Sequence, residues 1–116
     1  MSSILIVEDD VLASEYLEFV LDGAGYEAIP AASSEEAIAV LEHRDDVHLV
    51  VTDINLPGGL NGLQLAALVR DRWPAINIIA VTGYGAPRSD ELPTGSLFVS
   101  KPYSAQKMMQ AVRHFE

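Results

Sequence analysis

The 116 residues make one domain's length, almost half of them apolar, and seventeen acidic against seven basic side chains give a formal net charge of -10. That charge repels phosphate backbones, so direct nucleic-acid binding is not expected, and the lack of cysteine excludes disulfides and thiolate metal sites. The first apolar run, Ile4–Val7, is too short for a signal peptide or a membrane span and follows no basic region, so the chain reads as cytoplasmic with no membrane partner.

Four short runs rich in Val, Ile and Leu do not alternate with polar residues: Ile4–Val7, Val47–Val51, Ile76–Val81 and Leu97–Val99. Such runs are expected of strands covered on both faces. A weaker strand fits Glu27–Ala31, at a sheet edge. Between them, Leu12, Tyr16, Phe19 and Val20 share one face of a helix that stops near Gly23-Ala24-Gly25. Ser33-Ser34-Glu35-Glu36 has capping-box spacing ahead of Ala37, Val40 and Leu41. A further helix runs from about Leu63 to Arg72 and ends at Trp73-Pro74. The last helix carries Ala105, Met108, Val112 and Phe115 at spacings of three and four. Met108-Met109 reads as core and Trp73 as packing at a helix end.

Alternating strands and helices imply right-handed crossovers, hence an α/β, doubly wound, five-stranded parallel sheet with helices on both faces. For the common strand order 2-1-3-4-5, the ligand site lies beyond the carboxyl ends of the first and third strands. The residues at those ends are Glu8-Asp9-Asp10, Asp53, Thr82 and Ser100-Lys101-Pro102. Clustered carboxylates suit Mg²⁺, and a carboxylate can attack phosphorus to give an aspartyl phosphate. Central Asp53 is the candidate nucleophile, Glu8 and Asp9 the metal ligands, and Thr82 and Lys101 the partners of the phosphoryl oxygens.

Over nearly its whole length the sequence resembles the response-regulator receiver family. The resemblance is carried by Ile4-Leu5-Ile6-Val7-Glu8-Asp9-Asp10, Thr52-Asp53-Ile54-Asn55-Leu56-Pro57, Val81-Thr82-Gly83 and Lys101-Pro102-Tyr103, in that order. It implies a single receiver domain over residues 1–116, without an effector domain. In two-component signalling such a domain accepts a phosphoryl group on Asp53 from a sensor histidine kinase or a histidine phosphotransfer protein. It also implies Mg²⁺, with Mn²⁺ as a substitute, bound by Glu8, Asp9, Asp53 and the backbone carbonyl of Asn55. Thr82 and Phe98 would form the conformational switch, Asn55 and Tyr84 would tune access to the phosphoryl group, and the Lys101–Pro102 bond is often cis in such proteins. Self-phosphorylation and autodephosphorylation would be its only catalysis.

One segment departs from the family pattern. Only eighteen residues separate Thr82 from Lys101, and Gly83, Gly85, Pro87, Pro93 and Gly95 interrupt them. At most two helical turns, roughly 86–92, fit there, so the fourth helix is expected to be short or irregular. Dimerisation through that face loses support, which leaves a monomer or a weak dimer. The loop from Leu56 to Gly62 is also longer than usual.

Each candidate also has a plain structural explanation. Asp9 or Asp10 can cap a helix, Asp53 can form a turn, and Lys101 can be a solvated surface lysine. His43, His48 and His114 lack metal-ligand spacing. Two other functional readings stay open. A small aspartate phosphatase is one, although Asp53-Ile54-Asn55 lacks a second acid; a flavodoxin-like nucleotide or flavin binder is the other, although no glycine-rich loop follows the first strand.

Overall fold

A computed structural model describes residues 3–83 and 91–116. In chain order the elements are β1 (Ser3–Val7), α1 (Val11–Gly23), β2 (Glu27–Ala31), α2 (Ser34–His43), β3 (Val47–Asp53), α3 (Gly62–Arg72), β4 (Asn77–Thr82), β5 (Leu97–Ser100) and α4 (Ala105–His114). All strand pairs are parallel, in the order β2-β1-β3-β4-β5. This is the doubly wound sheet the apolar runs imply.

The strands are apolar on both faces because both are covered. Ile4, Ile6, Leu49, Val51, Ile79 and Val81 pack with Leu17 and Leu21 of α1 and with Met108, Met109 and Val112 of α4. Leu5, Val7, Val50 and Ile78 pack on the other side with Ala37 and Leu41 of α2 and Leu65, Ala66 and Val69 of α3. Successive strand residues point to opposite faces, so each strand feeds both layers. Trp73 packs against the second layer at the end of α3, with the Arg72 guanidinium 4.4 Å above its ring. No helix among the described residues is long and apolar enough to cross a membrane.

The inner face of α1 is not the predicted one. Leu12 and Phe19 are 76% and 79% exposed and Tyr16 is exposed too, whereas Ser14, Leu17 and Leu21 are buried. The helix carries two apolar stripes, and the sheet takes the one with Leu17 and Leu21, Val20 lying at its margin. Small Ser14 lies within that buried stripe. In α4 the expected Met108 and Val112 are buried and Phe115 packs against the same core, joined by Met109 and Ala111, whereas Ala105 is exposed. Ser33 caps α2 by accepting from Glu36 N–H, while the Glu36 carboxylate accepts from Ala32 rather than Ser33. The full reciprocal box lies instead at Asn61 and Gln64, ahead of α3. Of the short helix expected over roughly 86–92, residues 86–90 lie outside the described part; Glu91 and Leu92 are non-helical.

Candidate functional site

The topology brings the ends of β1, β3 and β5 together. Glu8 follows β1 directly, Asp53 closes β3, and both are buried, at 9% and 8% exposure. Carboxylate oxygens of Glu8, Asp9 and Asp53 all lie within 4.8 Å of one another. The Lys101 ammonium, just beyond β5, donates to Asp53 Oδ2 at 2.7 Å and to Glu8 Oε1 at 3.0 Å. It thus bridges residues 93 and 48 positions away in the chain.

Backbone amides hold the remaining oxygens. The Asn55 N–H donates to Asp53 Oδ1 at 2.9 Å, and the Asp10 N–H donates to Glu8 Oε2 at 3.1 Å. Asp10 itself caps α1 by accepting from the Leu12 and Ala13 amides. The capping role therefore falls to Asp10, and exposed Asp9 is left at the cluster. The Lys101 N–H donates to the Thr82 carbonyl at 2.8 Å, and the Lys101–Pro102 bond is cis.

Thr82 is buried at the end of β4, one residue beyond Val81, the register partner of Asp53. Phe98 lies on β5 opposite Ala80, partly exposed. Tyr84 lies outside the described residues. His43 Nδ1 sits 2.8 Å from the Ala39 carbonyl, and His48 Nδ1 3.1 Å from the Ser3 carbonyl. Each ring thus has a local structural contact.

The electrostatics follow from burial and sign. Burial raises the Glu8 pKa, with the nearby Asp53 charge adding to it; the Asp10 amide and Lys101 only partly offset this. Burial opposes the charge on Lys101, but its bonds to Asp53 and Glu8 outweigh that and hold its pKa above the ordinary lysine value. Three carboxylates thus face one ammonium. An all-oxygen, net-negative cluster fits a hard divalent cation such as Mg²⁺.

Two features of this site escaped the sequence reading. Gly62 touches the backbone of Asp53 and Ile54 so closely that a Cβ there would lie 2.1 Å from the Asp53 carbonyl oxygen. The only sequence signal was a glycine at a helix start. Tyr103, half-buried beside Lys101, lies 6.2 Å from the Tyr16 ring, tying the β5–α4 loop to α1.

With this geometry in view, the comparisons agree. The response regulator receiver domain model matches residues 4–113. The chain belongs to the response-regulator receiver family. Receivers are regulatory domains of two-component signalling rather than conventional enzymes. The chain is 36% identical, over 97% of its length, to the response regulator FleR of Pseudomonas aeruginosa, but spans only 24% of that protein. It is 29% identical to the polar-differentiation response regulator DivK of Brucella anthropi, covering 97% of this chain and 94% of DivK. Among solved structures, the response regulator TrrA of Thermotoga maritima, in complex with Mg²⁺-BeF, superposes with a TM-score of 0.88 at 29% identity over all of both chains.

Proposed function

We propose that this receiver takes a phosphoryl group from a phosphohistidine donor onto the Asp53 carboxylate in a Mg²⁺-dependent reaction. The observation that carries the reading is the single ammonium of Lys101 shared between Asp53 and Glu8, at 2.7 and 3.0 Å, with Asp9 at the rim. An Asp53 oxygen attacks phosphorus; the P–N bond breaks and its electron pair stays on the donor imidazole. Lys101 then has a phosphoryl oxygen to hold, and the Thr82 hydroxyl would donate to another. Glu8, Asp9, Asp53 and the Asn55 carbonyl would hold Mg²⁺, with Mn²⁺ as a substitute, and the ion supplies positive charge to the transferring oxygens. Likeness to a relative crystallised with Mg²⁺-BeF supports this choice of metal.

The conformational response would run through Thr82 and the partly exposed Phe98. Asn55 and Tyr84 would regulate access of water. A sensor kinase or histidine phosphotransfer protein needs a surface next to Asp53. Val11, Leu12, Tyr16 and Phe19 offer one, on a helix that begins two residues after Asp9. The test is phosphotransfer from a labelled phosphohistidine donor. Label should pass to this chain only with a divalent cation, and Leu12→Ser with Phe19→Ser should slow transfer from the protein donor but not from acetyl phosphate. Steady turnover of general phosphate esters would favour a phosphatase instead.

A further inference from the structure

Gly62 is the first residue of α3, and its φ lies outside the left-handed region. Glycine is therefore not required there by backbone conformation; it is required by space. A Cβ would fall 2.1 Å from the Asp53 oxygen, 2.6 Å from Ile54 Cα and 2.8 Å from the Asp53 carbonyl carbon, all backbone atoms that cannot rotate away. The Asp53 carbonyl also accepts from the Thr52 hydroxyl at 3.0 Å. Gly62 N–H donates to the Ile54 carbonyl at 2.8 Å, and Ile54 N–H donates to Val81 on β4 at 2.9 Å. The short Asp53–Asn55 segment is thus clamped between β4 and the first turn of α3. That segment carries the Asp53 carboxylate, the Asn55 amide bonded to it, and the Asn55 carbonyl.

We infer that Gly62 is a positioning residue for the phosphoryl-transfer site: its missing side chain lets α3 seat on the Asp53–Ile54 peptide and so aims the Asp53 carboxylate and the Asn55 carbonyl. The inference rests on the proposed function for the identity of the bound groups, but its geometry does not. Gly59, in the same loop, provides the contrast, since a Cβ there meets only the Ser34 hydroxyl at 3.8 Å. Val69, fully buried in α3 away from the site, provides a variant that loses packing without touching the peptide.

The experiment compares Gly62→Ala, Gly59→Ala and Val69→Ala by Mg²⁺ titration and by the amide resonances of residues 53–55 in metal-free protein. Gly62→Ala should shift those amides and weaken Mg²⁺ binding about tenfold, as loss of an outer support of a metal site does. Gly59→Ala should change neither, and Val69→Ala should leave Mg²⁺ affinity intact even where it lowers the melting temperature more. Unchanged affinity and amides in folded Gly62→Ala, or equal weakening by Val69→Ala, would overturn the inference. Should Gly62→Ala not fold, Asn61→Ala decides, because it removes the bond from Gln64 N–H to Asn61 Oδ1 that caps the same turn, without adding bulk. Unaltered Mg²⁺ affinity in that variant refutes the positioning role, and reduced affinity supports it. If the wild type itself ignores Mg²⁺, the proposed function fails, and the amide shifts of the Gly62 and Asn61 variants alone judge this inference.

Discussion

The two ends of the sheet each gather charged groups from three strands or their flanks, with opposite outcomes. At the amino end, Arg44 reaches Asp46 through two nitrogens, at 2.9 and 2.7 Å, and Glu27 at 2.6 Å. Ser3 Oγ lies 2.9 Å from Glu27 and 2.7 Å from Asp46, its one proton serving either. Each of the three charged side chains there has partners and lies open to water, with side-chain exposures of 34–50%, and only Ser3 is buried. At the carboxyl end, Glu8 and Asp53 are buried and share one ammonium with Asp9 nearby. Both clusters hold more carboxylates than cations, but the exposed one fastens strand starts and leaves its surplus charge to water, whereas the buried one cannot. An ion cluster that is both buried and unbalanced is poorly explained by stability and well explained by a ligand that brings the missing charge.

The comparison can be broken first at Lys101. Lys101→Met leaves two buried carboxylates without their cation, and should lower metal-free stability by roughly 3 kcal/mol in urea unfolding. Mg²⁺ should restore part of the loss. A variant as stable as the wild type would mean that the cluster is solvated rather than buried. A smaller effect is expected on adding metal to the wild type: at ten times the dissociation constant, Mg²⁺ should stabilise by about 1.4 kcal/mol. Asp53→Asn should abolish that gain while slightly raising metal-free stability. At the 4.8 Å limit of their separation, Glu8 and Asp53 repel by roughly 3.5 kcal/mol at an effective dielectric near 20. Lys101 already offsets most of this, so the net rise should be far smaller.

Smaller still is the effect at the other end. Arg44→Ala should change the melting temperature less than Lys101→Met does, and the change should shrink in high salt. Its pH dependence has a definite sign. Bonds to Arg44 and Ser3 hold the Asp46 pKa below its ordinary 3.8, and Ser3 and Arg44 hold Glu27 below its ordinary 4.5. The unfolded chain binds more protons in that window, so the contribution is complete above the ordinary values and lost as pH falls through the folded ones. The difference between wild type and Arg44→Ala should therefore be present near neutrality and fade in acid. A difference that grows in acid would contradict the pairing.

The sheet was legible because strands covered on both faces keep their apolar residues consecutive, as Ile4–Val7 does, and strand order then placed Glu8, Asp53 and Lys101 at one edge. The face of α1 was not, since Leu12, Tyr16 and Phe19 form as regular a stripe as Leu17 and Leu21. Periodicity shows that a stripe exists, not which stripe meets the sheet. Gly62 was hidden for a different reason: its constraint is a contact with backbone eight and nine residues back, visible only once the loop is closed. The Arg44 cluster likewise joins Ser3, Glu27 and Asp46, whose side chains meet only because β1, β2 and β3 start in register.

Everything proposed for the carboxyl end converges on one atom group, the Asp53 carboxylate. Intact-mass spectrometry of the wild type and Asp53→Asn, each incubated with acetyl phosphate with and without Mg²⁺, addresses it directly. A single phosphoryl adduct is expected on the wild type, dependent on Mg²⁺ and absent from Asp53→Asn. An adduct of equal yield on Asp53→Asn, or one formed equally well without a divalent cation, would contradict it.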